Sequence, residues 1–156
     1  MPRVTHVKKA RKDNPAHGIK KGESYFWWKF RFGGKHYSKV HPKPSQLTQS
    51  EFLGTMYDIE ERIIVLDQIT SAAEMITTVE GIVEELRTLA EEQEEKLSNM
   101  PDSLQESDTG QLLQDRADNT NQMADDLEGV DLDADMTEDE LDDAGSELAA
   151  VSYNGD

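Results

Sequence analysis

Charge is divided between the two ends of this chain. Residues 1–43 contain 12 of the 16 Lys and Arg residues and only two carboxylates, a local balance of +10. Residues 44–156 contain the other four basic residues and 31 carboxylates, a balance of −27. Because such charge sets what approaches a surface, the first part should attract polyanions, and the second should repel nucleic acid and anionic membranes.

Composition limits the size of the core. Only 35% of the 156 residues are hydrophobic, and most of these precede residue 100, so we expect one small core and an elongated remainder. The absence of cysteine excludes a disulfide scaffold and a thiolate metal site. No apolar run is long enough for a secretory signal or a membrane span, so we expect a soluble, cytoplasmic protein with no membrane partner.

An aromatic and basic stretch near the N-terminus has the pattern of a β-hairpin. Residues 25–32 (YFWWKFRF) and the KHYSKV run after the Gly-Gly pair favour strands, and Gly-Gly is a turn signal. A two-residue loop would place Trp28 opposite Lys39, whereas a three-residue loop would place it opposite Ser38. Because two strands alone are marginally stable, residues 4–7 (VTHV) are a candidate third strand. A basic loop is predicted between that strand and the hairpin.

The predicted hairpin has two different faces. Strand alternation places four aromatic residues on one face, namely Phe26, Trp28, Phe30 and Phe32. We expect that face to be mostly buried. The opposite face and the basic loop combine rings on which bases stack with cations that neutralise phosphates, and His36 is a further candidate there. The predicted nucleic-acid-binding residues are Lys8, Lys9, Arg11, Lys12, Lys20, Lys21, Tyr25, Trp27, Lys29, Arg31, Lys35 and Lys39.

The histidines do not predict a metal site. All four (His6, His17, His36 and His41) lie in the basic part, but no pair has a recognised ligand spacing and no cysteine assists. We therefore predict no metal and no cofactor. No motif such as GxSxG pairs a nucleophile with a base, so we also predict no catalytic residues and no enzyme activity.

Two segments carry a resemblance to known proteins. Residues 18–52, with IKKGESYFWWKFRFGGKHYSKVHPKPSQLTQSEF, and residues 99–114 (NMPDSLQESDTGQLLQ) are similar to a family of uncharacterised small proteins of tailed bacteriophages and prophages. That family has no assigned activity, so the resemblance implies a phage setting, with the host cytoplasm as the location, and no functional residues. The hairpin also resembles the arm-type DNA-binding modules of phage integrases, although the chain lacks an integrase catalytic domain.

A long amphipathic helix is predicted after the basic part. Thr48 and Glu51 form a capping-box pattern, Ser45 is an alternative cap, and Gly54 or Gly81 could bend the helix. Apolar residues recur at intervals of three and four, and such a stripe must be buried by a second helix or by another copy of the chain. The seam predicted to mediate self-association comprises Met56, Ile59, Ile63, Leu66, Ile69, Ile76, Val83 and Leu86.

A second, weaker helix is predicted further along. Pro101 suits its first turn, and its apolar stripe comprises Leu112, Leu113, Ala117, Met123, Ala124 and Leu127. A helical hairpin is therefore one possible arrangement. Because the second stripe is the shorter one, part of the first would stay uncovered, and this favours a homo-oligomer.

The acidic C-terminal stretch contains a partial match to a calcium loop. Asp131, Asp133 and Asp135 have the spacing of the first ligands, but the glycine position holds Met136 and the final glutamate position holds Asp142, so we predict no calcium site. Thr137 and Glu140 instead form a capping box for a short helix, after which the chain should fray. Tethered to the basic part, this stretch could compete with a polyanion for the lysines.

The fold class predicted from these patterns is α+β, mainly α, in four parts. They are a basic β-containing head (residues 1–43), a long amphipathic helix (44–98), a second helical segment (99–130) and an acidic, partly disordered tail with a short helix (131–156). The leading interpretation is a non-enzymatic phage accessory protein that binds DNA or RNA and self-associates. The alternatives are an assembly protein whose head docks on a host or phage protein, and an acidic nucleic-acid mimic that inhibits a host DNA-binding enzyme.

Overall fold

The computed structural model describes residues 1–155 and shows an α+β fold that is mainly α, as predicted. A small antiparallel sheet near the N-terminus is followed by five α-helices within the described residues. The chain divides into two compact units, Met1–Tyr57 and the residues from Asp58 onward.

The sheet has three strands in the order β1-β2-β3, and both pairings are antiparallel. Strand β1 is Thr5–Val7, β2 is Tyr25–Lys29 and β3 is Lys35–Ser38. The third strand therefore comes from the VTHV segment, which confirms the prediction.

The predicted register of the hairpin is wrong for both loop lengths. Strand β2 ends at Lys29 and β3 begins at Lys35, so the loop has five residues, and Trp28 lies opposite His36. Gly33 has a φ of 122°, which favours glycine, and the Gln49 side chain donates a hydrogen bond to the Phe32 carbonyl. The aromatic alternation consequently stops at Lys29, and Phe32 lies in the loop with 74% of its surface exposed.

The predicted basic loop between β1 and β2 is an ordered extension of that strand pair. Ala10 exchanges backbone hydrogen bonds with Glu23 and Gly22, and Asn14 forms a β-bridge with Ile19. A single 3₁₀ turn, Pro15–His17, closes this extension. Ala10 and Ile19 are buried, so the extension adds apolar side chains to the first unit.

Helix α1, Glu51–Ile63, begins two residues later than the predicted cap at Thr48 implies. Ser50 Oγ accepts a hydrogen bond from the Leu53 N–H and so acts as the cap, while Thr48 Oγ accepts from the Ser50 N–H. Ser45 lies in a preceding 3₁₀ turn, Pro44–Leu47. The buried hydrophobic residues of the first unit are Ala10, Ile19, Trp28, Leu47, Phe52 and Met56.

The prediction of one continuous helix over residues 44–98 is wrong. Helix α1 ends at Ile63, a 3₁₀ turn covers Leu66–Gln68, and helix α2 spans Ala72–Ser98. Ser71 caps α2 by accepting a hydrogen bond from the Glu74 N–H. The predicted helix is thus interrupted at residues 64–71, and a second helix begins after the Ser71 cap. Gly54 and Gly81, the predicted bending points, both lie inside helices.

This interruption also shifts the buried face of α2. The seam extrapolated across the break predicts Ile76 as a core residue, but Ile76 is only half-buried. Because α2 starts with its own phase, a different set faces inward. Its buried residues are Met75, Val79, Ile82, Val83, Leu86, Leu89, Ala90 and Gln93.

The second helical segment folds back on the first and forms a helical hairpin. It consists of a short helix α3, Asp102–Gln105, and a long helix α4, Asp108–Glu128, and α4 packs along α2. Ser107 caps α4 by accepting from the Gly110 N–H. A Cβ at Gly110 would lie within 2 Å of the Gln105 carbonyl oxygen, so glycine permits the tight connection from α3 to α4.

The acidic tail is more ordered than predicted. Helix α5, Glu138–Ala149, starts at the predicted capping box, in which Thr137 Oγ accepts from the Glu140 N–H. This helix packs on the 3₁₀ turn Leu66–Gln68, and a Cβ at Gly145 would come 3.0 Å from the Asp67 Cα. Leu148 has no exposed surface, so the tail supplies part of the core of the second unit.

None of the helices within residues 1–155 is long and apolar enough to cross a membrane.

Candidate nucleic-acid interface

One face of the sheet carries aromatic and basic side chains together. Residues that lie directly opposite each other on paired strands share a face, and Trp27 lies opposite both Thr5 and Tyr37. Tyr25 and Lys29 alternate onto the same face as Trp27, and Lys35 joins them as the partner of Lys29. The structure thus brings together four of the predicted binding residues, with Tyr37 beside them.

His36 does not belong to this face. It lies opposite Trp28 and stacks on that indole at a centroid distance of 5.5 Å, so the prediction that placed it beside Trp27 is wrong. Trp28 itself is 4% exposed, and its Nε1–H has no hydrogen-bond partner. The face of the sheet that carries Trp28 therefore contributes to packing and not to the candidate binding surface.

The predicted burial of four aromatic residues holds fully only for Trp28. Phe26 and Phe30 are half-buried, and Phe32 is exposed in the loop. The Arg31 guanidinium lies 5.5 Å from the centroid of the Phe32 ring. This loop therefore presents an aromatic ring and a cation at the end of the hairpin.

A cation–π contact organises part of the binding face. The Lys35 Nζ lies 4.4 Å from the centroid of the Trp27 ring, close enough for attraction between the ammonium and the ring face. Lys35 is exposed and Trp27 is half-buried, so solvent reaches both side chains. The Lys35 ammonium therefore lies over one face of the indole, and a base that stacked on that face would have to displace it.

A cleft lies between the extension of the β1–β2 pair and the sheet. It has a volume of about 720 Å³, and its aromatic walls include Tyr25 and Tyr37, whose ring centroids are 6.1 Å apart. His17 stacks on Tyr37 at 4.4 Å. The other lining residues are Val7, Lys9, Ala10, Arg11, Lys12, Asp13, Asn14, Pro15 and Ile19.

All the predicted cations of the head are solvent-exposed, and the head's two carboxylates, Asp13 and Glu23, accept hydrogen bonds from residues within the head. Asp13 Oδ1 accepts a hydrogen bond of 2.7 Å from the Lys21 N–H. Glu23 accepts from the Lys20 N–H and pairs with the Lys39 ammonium at 3.1 Å. The Lys20 N–H bond and the Lys39 pairing lower the pKa of the Glu23 carboxyl.

The ion pair changes the role predicted for Lys39. Because its ammonium already neutralises Glu23, a phosphate there would have to compete with a carboxylate. Lys39 is therefore a weaker candidate contact than the other cations. The lysines and arginines that line the cleft or lie on the Trp27 face keep their predicted place.

Each histidine contacts an aromatic ring. His6 stacks on Phe26 at 4.5 Å and His41 meets the edge of Phe26 at 5.3 Å, in addition to the His17 and His36 contacts. Within residues 1–155 no cluster of histidine, aspartate and glutamate is arranged to hold a metal ion. The histidines consequently have a packing role in the small aromatic network of the first unit.

The seam predicted for self-association is largely covered within one chain. Of its eight residues only Ile69 and Ile76 are half-exposed, while the other six are buried. Self-association was predicted because part of the apolar stripe should stay uncovered, and the structure shows that most of the stripe is covered. An uncovered stripe therefore no longer supports a second copy. Self-association itself stays a prediction.

Two arginines of the second unit are used in ion pairs between helices. Arg62 forms a two-bond pair with Glu85, which lowers the pKa of that carboxyl and raises the pKa of the guanidinium. Arg87 on α2 donates to Asp125 and Glu128 on α4. These basic residues therefore join the helices and do not extend the basic surface of the head.

The cleft was not among the features predicted from the sequence. Its floor depends on Ile19 and Ala10, which lie in a segment predicted to be a loop. A signal was available, because Asn14-Pro15 followed by Gly18 marks a tight turn between two short extended runs. That pattern predicts a second hairpin, which would have placed the basic residues against the sheet.

Comparison with protein-family models, curated proteins and solved structures finds no match for this chain.

Proposed function

We propose that this protein binds nucleic acid through the basic aromatic surface of its first unit. The observation that carries the proposal is the composition of that surface. Exposed cations surround the half-exposed rings of Trp27, Tyr25 and Tyr37, and the two carboxylates among them are already hydrogen-bonded. Phosphates would meet cations while bases meet ring faces.

The chemistry of this surface favours sequence-tolerant binding. The lysines act as mobile point charges, which neutralise phosphates at any sequence, and ring stacking accepts every base. Affinity should therefore depend on salt more than on sequence. Since each neutralised phosphate releases counterions, six or more contacts would make the fall of affinity with salt steep.

The second unit has no nucleic-acid-binding role in this proposal. Its surface is dominated by carboxylates, and two of its few basic residues are held in ion pairs. A polyanion would be repelled there. The proposed role of the second unit is that of a folded acidic body attached to a nucleic-acid-binding unit, with no catalytic function.

A salt series on matched variants tests the proposal. The first variant of the full chain replaces Lys8, Lys9, Arg11 and Lys12 with glutamine, and the control replaces the ion-paired lysine by Lys39→Gln. For duplex DNA the slope of log K against log salt should become shallower by about 0.9 per lost phosphate contact in the first variant. The control should change the slope by much less.

Two outcomes would contradict the proposal. One is a quadruple variant that binds DNA and RNA with the affinity and slope of the unmodified chain. The other is the absence of any binding by the unmodified chain at low salt. In the second case the same cationic surface would suit an acidic protein partner.

A further inference from the structure

We propose that the cleft beside Tyr25 and Tyr37 takes up one unstacked nucleobase, which makes single-stranded nucleic acid the preferred ligand. This inference rests on the proposed function and adds to it the structural class of the ligand. It also assigns a role to the extension of the β1–β2 pair, which the sequence did not predict.

The size and lining of the cleft suit the flat, uncharged part of a nucleotide. Its volume of about 720 Å³ lies in the range of small-molecule sites, roughly 300 to 1,000 Å³. Ala10 and Ile19 are buried and provide apolar surface, and the two tyrosine rings provide aromatic surface. Bases are held on such surfaces by stacking and by exclusion of water.

The charges around the cleft separate the positions of base and phosphate. Lys9, Arg11 and Lys12 line it and are exposed, so their cationic ends can meet phosphates in solvent. Asp13 also lines it, and its carboxylate would repel a phosphate placed inside. The interior therefore suits a base, and the flanking phosphates suit the cations around it.

Hydrogen bonds and ring contacts hold the extension of the β1–β2 pair, which forms part of the cleft. The Asn14–Ile19 bridge and the Asp13–Lys21 hydrogen bond fix the extension, and the stacking of His17 on Tyr37 ties its 3₁₀ turn to the sheet. A base would consequently enter a site that is already formed, with little loss of conformational freedom in the protein.

This arrangement predicts a preference that charge alone would not give. Duplex DNA has the higher density of phosphates, so a surface that acts only through its charge binds duplex more tightly than a single strand. A base within a duplex is stacked and paired and must be extruded before it can enter a cleft. A single strand offers its bases without that cost.

The experiment compares three ligands with the full-length protein at one low salt concentration. They are a thymidine oligonucleotide, an abasic strand of the same length and phosphate count, and a duplex of that length. The thymidine strand should bind at least on the order of tenfold more tightly than the abasic strand, because the base in the cleft and any base stacked on Trp27 are both lost. It should also bind more tightly than the duplex.

Two matched variants locate the base. Tyr25→Leu removes a ring that lines the cleft, whereas Phe32→Leu removes an exposed ring outside it. The preference for the thymidine strand over the abasic strand should shrink in Tyr25→Leu by the part that the cleft contributes and persist unchanged in Phe32→Leu. Circular dichroism would check that both variants keep their fold.

The outcomes distinguish this inference from the proposed function. Equal binding of the thymidine and abasic strands would overturn the cleft assignment and leave nucleic-acid binding intact, and this comparison needs no variant to fold. Loss of the preference in Phe32→Leu but not in Tyr25→Leu would also overturn it, by moving the base to the hairpin loop. Absence of binding to all three ligands would overturn both.

Discussion

The two units bury their side chains in different ways. This difference is the reason for proposing that the first unit binds nucleic acid and the second does not. The first unit has a small core in which Trp28 and Phe52 are the buried aromatic residues, and it leaves most of its other rings half-exposed. The second unit buries most of its apolar residues between helices, with Ile64, Val65 and Leu104 exposed, and the rest of its surface is rich in carboxylates. Exposed aromatic surface often marks an interaction site, which is why we propose the first unit as the binding unit.

One of the two largest predicted effects concerns the connection between α3 and α4 in the second unit. Gly110→Ala would place a Cβ on the Gln105 carbonyl oxygen, so α3 and α4 must move apart. We expect a loss of about 2–3 kcal/mol in the free energy of unfolding, measured by urea denaturation. Nucleic-acid binding at low salt should not change if the two units have separate roles.

Gly81→Ala is the matched control for that substitution. A Cβ at Gly81 meets nothing within 4 Å, and the residue lies inside α2. Alanine is the better helix former, so stability should rise by up to about 1 kcal/mol. Equal destabilisation by both substitutions would contradict the close contact between Gly110 and Gln105.

The other effect of this size tests whether the acidic tail belongs to the second unit. Leu148 is fully buried on α5, so Leu148→Ala should cost about 2–4 kcal/mol in the free energy of unfolding by creating a cavity. Glu147→Ala, at the exposed neighbouring position, should change it by less than about 0.5 kcal/mol. Indistinguishable stabilities would mean that the tail is not part of the core.

A smaller effect of opposite sign is expected at a buried hydroxyl. Thr120 on α4 has no exposed surface, and its Oγ1 has no hydrogen-bond partner. Thr120→Val keeps the shape and removes the unpaired group, so the free energy of unfolding should rise by about 1 kcal/mol. Thr120→Ser keeps the hydroxyl and should lower it, which separates the loss of polarity from the change in volume.

The smallest effect is a pH dependence from the Arg62–Glu85 pair. Pairing lowers the pKa of Glu85 in the folded state, so its contribution is present above the unfolded-state pKa and is lost as pH falls through the folded value. Glu85→Gln should cost up to about 1 kcal/mol at neutral pH, because both side chains are half-exposed, and nothing in strong acid. Glu84→Gln, at an exposed neighbouring position, is the control. A pH-independent cost would contradict the pairing.

The sequence predicted the elements of the fold better than their boundaries. Strong local signals succeeded: the aromatic strands, the capping box of Thr137 and Glu140, and the paired stripes of two helices all appear in the structure. The interruption after Ile63 was missed because the apolar spacing continues through it, although Ser71 and Glu74 carry the same capping-box pattern as other helix starts.

The candidate site was predicted by residue type but not by geometry. Composition alone identified the rings and cations of the head, since their charge and stacking chemistry do not depend on register. The five-residue hairpin loop, the face of His36 and the pairing of Lys39 with Glu23 depend on register and on contacts between distant residues. Such contacts are set by packing, which a single local pattern does not specify.

The salt dependence of nucleic-acid binding by the full chain tests the central claim most directly. A titration of a single-stranded oligonucleotide at several salt concentrations between roughly 50 and 200 mM gives the slope of log K against log salt. If the first unit is a polyanion-binding surface, affinity should fall along a steep line that becomes shallower when Lys8, Lys9, Arg11 and Lys12 are replaced with glutamine. An undetectable affinity at the lowest salt, or a slope that this replacement leaves unchanged, would contradict the account.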